Sequence, residues 1–262
     1  MEKIFIKQWP DKNIGCITYL IKVPNTSKKI IKEVRNEIKR DVYLERLINQ
    51  KHNGFIKVIT GIRRCGKSYL LNTLFYNHLM ESGIEDDHVI VFAFDSADDL
   101  IKIGEGPLLL DNMVKEKKVD PKKFLEYLNQ QITDKEVYYL LLDEVQNLGA
   151  FEAVLNGFLR KKNLDVYVTG SNSRFLSKDI LTEFEGRGDE IHVLPLSFSE
   201  FFSVYNGSKE EAFDDYSVYG GLPAVALMST EEQKITYLAT QIENLSLLVI
   251  MHQTEKGSKE YG

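Results

Sequence analysis

An α/β fold is predicted for this chain, with a mostly parallel sheet covered by helices on both faces. Three observations carry that prediction. Apolar, β-branched runs of strand length alternate with amphipathic segments of helix length. The first run leads into a glycine-bounded, basic loop, Gly61-Ile-Arg-Arg-Cys-Gly-Lys-Ser68. A later run, Val137-Tyr-Tyr-Leu-Leu-Leu142, ends in the two acids Asp143 and Glu144.

Taken in order, residues 1 to about 36 read as an appendage, with a hairpin around Asn13-Ile-Gly-Cys and a basic helix through Ile30 to Ile48. From Arg40 the chain turns amphipathic and leads into a strand over Ile56 to Thr60. Tyr69 to Leu79 follows as a helix, and His88 to Phe94 as a second strand closed by Asp95. Residues 96–121 read as irregular and charged, broken by Pro107 and Pro121. A helix over Lys122 to Ile132 precedes the strand at Val137 to Leu142. A helix over Phe151 to Lys161, a strand over Leu164 to Thr169 and a last strand over Ile191 to Leu194 complete the pattern.

Composition bounds the class. The 262 residues are 43% hydrophobic and 27% charged, which describes a globular protein with room for one large core. No apolar run approaches a membrane span; Leu247 to Met251 is far too short. The first residues lack the unbroken apolar stretch of a signal peptide, and Cys16 and Cys65 give no disulfide framework. A cytoplasmic protein with no membrane partner is the expectation. The net charge of −6 is uneven: residues 1–40 hold ten Lys or Arg against four Asp or Glu, leaving −12 for the rest. Such an arm attracts nucleic acid or an acidic protein partner, or is simply a solvated helix face.

The loop has the G-x-x-x-x-G-K-[ST] spacing of a phosphate cradle. Gly61, Ile62, Arg63, Arg64, Cys65, Gly66, Lys67, Ser68 and Tyr69 form the candidate nucleotide-binding set. Successive loop N–H groups and the positive end of the next helix suit a phosphate chain, and glycine permits the close approach. Lys67 is expected on the β- and γ-phosphates of ATP, and Ser68 on Mg²⁺. Arg63 and Arg64 support phosphate, face a partner or point to solvent. Asp143 is expected to hold the metal and Glu144 to polarise the attacking water.

Thr169-Gly-Ser-Asn-Ser173 closes the fourth strand. Ser171 or Asn172 there is either a γ-phosphate contact or a helix N-cap, and one residue can do both. Arg187, in Glu185-Gly-Arg-Gly188, is either a finger inserted into a neighbouring subunit or a surface cation paired with Asp189 or Glu190. The five histidines form no metal spacing with the cysteines, and no serine-hydrolase elbow is present.

The loop, Leu142-Asp-Glu-Val-Gln146, Thr169-Gly-Ser-Asn-Ser173, Gly186-Arg-Gly-Asp-Glu-Ile191, Pro195-Leu-Ser-Phe-Ser-Glu-Phe201 and Tyr219-Gly-Gly-Leu-Pro223 occur in that order. Together they resemble the prokaryotic AAA+-type ATP-binding proteins that carry a C-terminal restriction-endonuclease-like domain. The resemblance runs from about Ile38 to Tyr237. It implies a P-loop NTPase with a RecA-like sheet, its loop strand in the middle, and a short C-terminal helical segment. It also implies nucleotide and magnesium on Lys67 and Ser68, a hydrolytic pair in Asp143 and Glu144, a sensor in Asn172 or Ser171, and self-association through Arg187 as an arginine finger.

The expected organisation is a basic extension over 1–37, an ATPase core over 38–205 and a lid-like helical segment over 206–262, incomplete at its C-terminus. Residues 1–37 have no counterpart in the family. After Ile242 the chain departs from it, as a truncated or frame-shifted gene would, with the winged-helix and nuclease-like portions missing. The leading expectation is an ATPase whose turnover drives a conformational switch. The alternatives are a nucleotide-gated protein- or DNA-binding module with little turnover, and a small-molecule phosphotransferase. A GTPase lacks support because no N-K-x-D motif occurs.

Overall fold

A computed structural model describes residues 37–106, 118–170, 184 and 186–242. Five parallel strands form one sheet: β1 (Ile56–Thr60), β2 (Val89–Ala93), β3 (Tyr138–Asp143), β4 (Leu164–Thr169) and β5 (Gly188–His192), in the order β2-β3-β4-β1-β5. β1 is therefore interior but one place from an edge, and β4 occupies the middle position expected for it. β4 separates β1 from β3 and lies between the loop strand and the acidic pair.

Side-chain alternation explains why the sheet is buried on both faces. Ile56 and Val58, Ile90 and Phe92, Tyr138, Leu140 and Leu142, and Val166 and Val168 join one core. The intervening Ile59, Val89, Tyr139, Leu141 and Tyr167 join the other. A strand whose residues pack on alternate sides needs apolar groups at every position, which is why β1 and β3 read as continuous apolar runs. The exception inside β1 is Lys57, fully buried, whose ammonium pairs with Asp165 on β4. The first core takes α5 (Pro121–Gln131) and α6 (Phe151–Phe158), with Phe124 and Phe158 buried. The second takes α1 (Asp41–Asn49) and the helix after the loop, through Leu47, Leu70, Leu71, Leu74, Phe75 and Leu79.

Several boundaries differ from the expectation. The basic helix through Ile30 to Ile48 fails at 37–40, which are not helical; α1 begins at Asp41, and residues 30–36 lie outside the described set. The hairpin around Asn13 also lies outside it. The helix after the loop is composite: α2 (Lys67–Tyr69), a π-helical stretch Leu70–Phe75, and α3 (Tyr76–Glu81). Wide π turns cluster at functional sites, and this one carries Asn72, whose amide reaches Asp143 at 3.4 Å.

The stretch read as irregular contains a helix, α4 (Ala97–Lys102). Its start is set by Ser96, whose hydroxyl accepts the Asp99 N–H at 3.4 Å, an N-cap signal too short-ranged to show periodicity. β5 starts three residues earlier than expected, at Gly188, and Leu194 is 55% exposed. An edge strand with one buried side chain, Ile191, has no apolar run to announce it.

Beyond the sheet lie α7 (Phe198–Phe202), α8 (Lys209–Tyr219) and α9 (Pro223–Ala226). Ser197 and Ser208 head α7 and α8 with reciprocal capping boxes to Glu200 and Glu211. Residues 231–242 are helical. A third core of Leu196, Phe201, Val204, Ala212 and Ala226 also takes Ile38. Arg40, buried at 2% exposure, pins the same region by donating to the Leu194 carbonyl at 2.6 Å and pairing with Glu200 at 3.2 Å. Among the described residues no helix is long and apolar enough to cross a membrane.

Candidate functional site

The strands of a parallel sheet all end on one edge, and β1 and β3 deliver the loop and the acids to it. Gly61 leaves β1 with φ 139°, and a Cβ there would lie 2.2 Å from the Val193 carbonyl oxygen. Only glycine lets the loop start so close to the chain beyond β5. Gly66 has φ 97° and ψ 21°, a left-handed corner that turns the chain into α2.

Lys67, the first residue of α2, is 5% exposed. Its ammonium donates to the carbonyls of Gly61 at 3.0 Å and Ile62 at 2.9 Å. Among the described residues no carboxylate pairs with it. A buried ammonium held only by neutral carbonyls is an incomplete arrangement, and an anion completes it. Ser68 follows with an exposed side chain, as do Tyr69, Ile62 and Arg63.

Cys65 is fully buried in the core behind the loop, so only its backbone faces the cradle. Burial pushes its thiol above the ordinary cysteine range, against the pull of Lys67 and Arg40. Arg64, at φ 65°, places its guanidinium 5.6 Å from the ring centroid of Tyr237 in the 231–242 helix. That helix is anchored in turn: Lys234 pairs with Asp215, and the Tyr219 hydroxyl donates to Glu231 at 2.8 Å.

Across the edge, Asp143 is 5% exposed. It accepts from the Thr169 hydroxyl on β4 and from Asn72. Glu144 leaves β3 through a left-handed corner (φ 51°, ψ 45°), with its N–H donated to Thr169 Oγ1 at 3.2 Å. Gln146 donates its amide to the Glu144 carboxylate. Thr169, Asn72 and Gln146 are neighbours of the candidate acids that sequence reasoning left without a role. Thr169 and Gln146 stand inside the motifs already quoted, but nothing in a linear pattern says which strand neighbours which.

Asp95, just past β2, is a third acid missed as a site residue. Partial desolvation raises its carboxyl above the usual aspartate range, and the negative charges of Asp143 and Glu144 add to the shift. Its own backbone N–H and Arg63 pull the other way. A divalent cation prefers oxygen ligands, which Ser68 and Asp143 can supply.

Arg187 sits at the far end of the sheet. Its carbonyl accepts from Ile56 N at 3.0 Å, at the start of β1, whereas the loop leaves the end of that strand. Asp189 and Glu190, the acids suggested as its partners, receive bonds from Asn53 at 2.5 Å and Thr60 at 2.6 Å. Ser171 and Asn172 lie outside the described residues.

A phosphate loop on β1, an acidic pair on β3 and a strand between them define a P-loop nucleotide-binding fold of the AAA+ type. A family profile described as an AAA domain matches residues 53–202, more than half of the chain. The chain belongs to that family. An uncharacterized protein of Haemophilus influenzae is 32% identical over 222 residues, covering 82% of this chain and 51% of its own length. An uncharacterized protein of Methanocaldococcus jannaschii is 26% identical over 227 residues, covering 79% and 43%. The chain thus spans about half the length of the curated relatives it matches. Among solved structures, AMPPCP-bound DnaA from Aquifex aeolicus aligns with a TM-score of 0.44 at 19% identity, over 76% of this chain and 59% of its own. Cdc6p from Pyrobaculum aerophilum aligns at 0.42 and 14%, over 78% and 61%.

Proposed function

We propose that the protein binds ATP with Mg²⁺ and hydrolyses it to drive a conformational switch. The observation that carries this reading is Lys67, a buried ammonium whose partners are loop carbonyls and which an ATP phosphate would neutralise. The loop from Gly61 to Ser68 would hold the phosphates through its N–H groups, and Ser68 with Asp143 would hold Mg²⁺. When bound, the metal supplies charge neutralisation across the phosphate oxygens. Glu144 orients the attacking water and takes its proton, and Thr169 ties that glutamate's backbone to Asp143. Ser171 or Asn172 remains the candidate for sensing the γ-phosphate.

The switch reading rests on contacts between the loop and the C-terminal helices. Arg64 lies over Tyr237, and a Cβ on Gly66 would lie 3.7 Å from Pro223. A loop that rearranges around phosphate disturbs both contacts. Arg187, whose carbonyl meets the start of β1 and not the loop end, is read as a finger for the nucleotide of a second copy of the chain.

Thermal unfolding with and without Mg-ATP, beside phosphate release, tests the reading. A ligand at one hundred times its Kd stabilises by about 2.7 kcal/mol, so a clear rise in Tm is expected. Lys67→Ala loses both the rise and the turnover. The same rise in that variant contradicts the loop assignment. For Arg187, specific activity should increase with protein concentration in the parent and stay flat in Arg187→Ala; a flat parental curve opposes the intersubunit role.

A further inference from the structure

We propose that Gln146 is a positioning residue for ATP hydrolysis, fixing the Glu144 carboxylate in the orientation from which it activates water. The inference rests on the reading of Glu144 as the water-activating group. Glu144 is a half-buried residue on a left-handed corner. A glutamate so placed has three side-chain torsions to order before its carboxylate addresses one point.

Gln146 supplies one such constraint. It is 7% exposed and sits in the 3₁₀ turn Val145–Asn147 directly after that corner. The turn is fixed from two sides: Asn147 N donates to the Glu144 carbonyl at 3.0 Å, and Lys118 donates to the Gln146 carbonyl at 2.7 Å. From this fixed base the Gln146 Nε2 group donates to Glu144 Oε2. A carboxylate only accepts, so the amide must turn its nitrogen toward it. The consequence is visible at the other end, where Gln146 Oε1 is buried and finds no partner among the described residues.

That orphaned oxygen argues against a packing role. An apolar side chain of similar size would fill the same space without stranding an acceptor. The arrangement is one in which a donor is held for Glu144 at the expense of the remainder of the amide. Gln146 directs its side-chain bond to Glu144 and not to the phosphate loop, so its loss should affect turnover and leave nucleotide binding intact.

The test measures steady-state ATP hydrolysis and the affinity for a non-hydrolysable ATP analogue in Gln146→Leu and Gln146→Glu. The expected result is a kcat lower by roughly 10–100-fold, as for other groups that orient a reacting residue, with KM and analogue affinity unchanged. Melting curves check folding; should Gln146→Leu fail to fold, Gln146→Glu, of nearly equal volume, carries the measurement. In a Glu144→Gln background Gln146→Leu should cause no further loss, because it acts through Glu144. Losses that multiply in the double variant, a kcat that is unchanged or raised, or a KM that rises with it overturn the proposal. Failure of the underlying reading is recognised separately: Glu144→Gln alone then turns over like the parent.

Discussion

The hydroxyl of Thr169 at the end of β4 donates to the Asp143 carboxylate on β3 and accepts the Glu144 N–H at 3.2 Å. One small side chain thus fixes both acids of the candidate hydrolytic pair. Thr169→Val keeps the shape and removes the oxygen, leaving a buried carboxylate oxygen and an N–H short of a partner. A loss of about 1–3 kcal/mol in urea unfolding is expected. The Mg²⁺ concentration for half-maximal turnover should also rise, since Asp143 loses the Thr169 contact and keeps the one from Asn72. Full stability in the variant would show that Thr169 does not fix the pair.

The two glycines Gly61 and Gly157 should respond to alanine in opposite directions. At Gly61 the new Cβ would meet the Val193 carbonyl at 2.2 Å with φ at 139°, so Gly61→Ala combines a clash with backbone strain. A loss of at least about 1–3 kcal/mol is expected. Gly157 lies within α6, where a Cβ meets nothing within 4 Å. Gly157→Ala should gain about 0.5–1 kcal/mol from helix propensity alone. Paired melting curves check both signs.

Asp95 should make stability depend on pH and on Mg²⁺. Its carboxyl titrates higher in the folded chain than in the unfolded one, through desolvation and then the charges of Asp143 and Glu144. The folded state therefore binds the proton more tightly, and stability contributed by the protonated acid falls as pH rises from the ordinary aspartate value through the raised one. Asp95→Asn should flatten that decline. The same variant should raise Tm at neutral pH in metal-free buffer, with a smaller gain in the presence of Mg²⁺. A pH profile identical to the parent's would oppose the electrostatic coupling.

Much of the fold could be read in advance where burial leaves a pattern. β1, β3 and β4 are packed on both faces, and such strands show as largely apolar runs, interrupted in β1 and β4 by the paired Lys57 and Asp165. The start of β5 was placed late because an edge strand with Asp189 and Glu190 on it carries no such run, and α4 was missed because six residues are too few for helical periodicity. The phosphate loop and the acid pair were legible because each is a local spacing imposed by chemistry. Thr169, Asn72 and Asp95 were not assigned to the site because their roles depend on strand order and on the π turn, which place distant residues side by side. Strand order is a property of the sheet as a whole, and no short segment encodes it.

Glu144 is proposed to activate water for ATP hydrolysis, and Glu144→Gln tests that role most directly. The substitution preserves size and hydrogen-bonding reach while removing the base. Single-turnover hydrolysis at saturating Mg-ATP should fall by roughly 10²–10⁴-fold, the range for loss of general-base catalysis. The ATP-induced rise in Tm should remain, because Lys67 and the loop are untouched. Hydrolysis at the parental rate in Glu144→Gln would contradict the account.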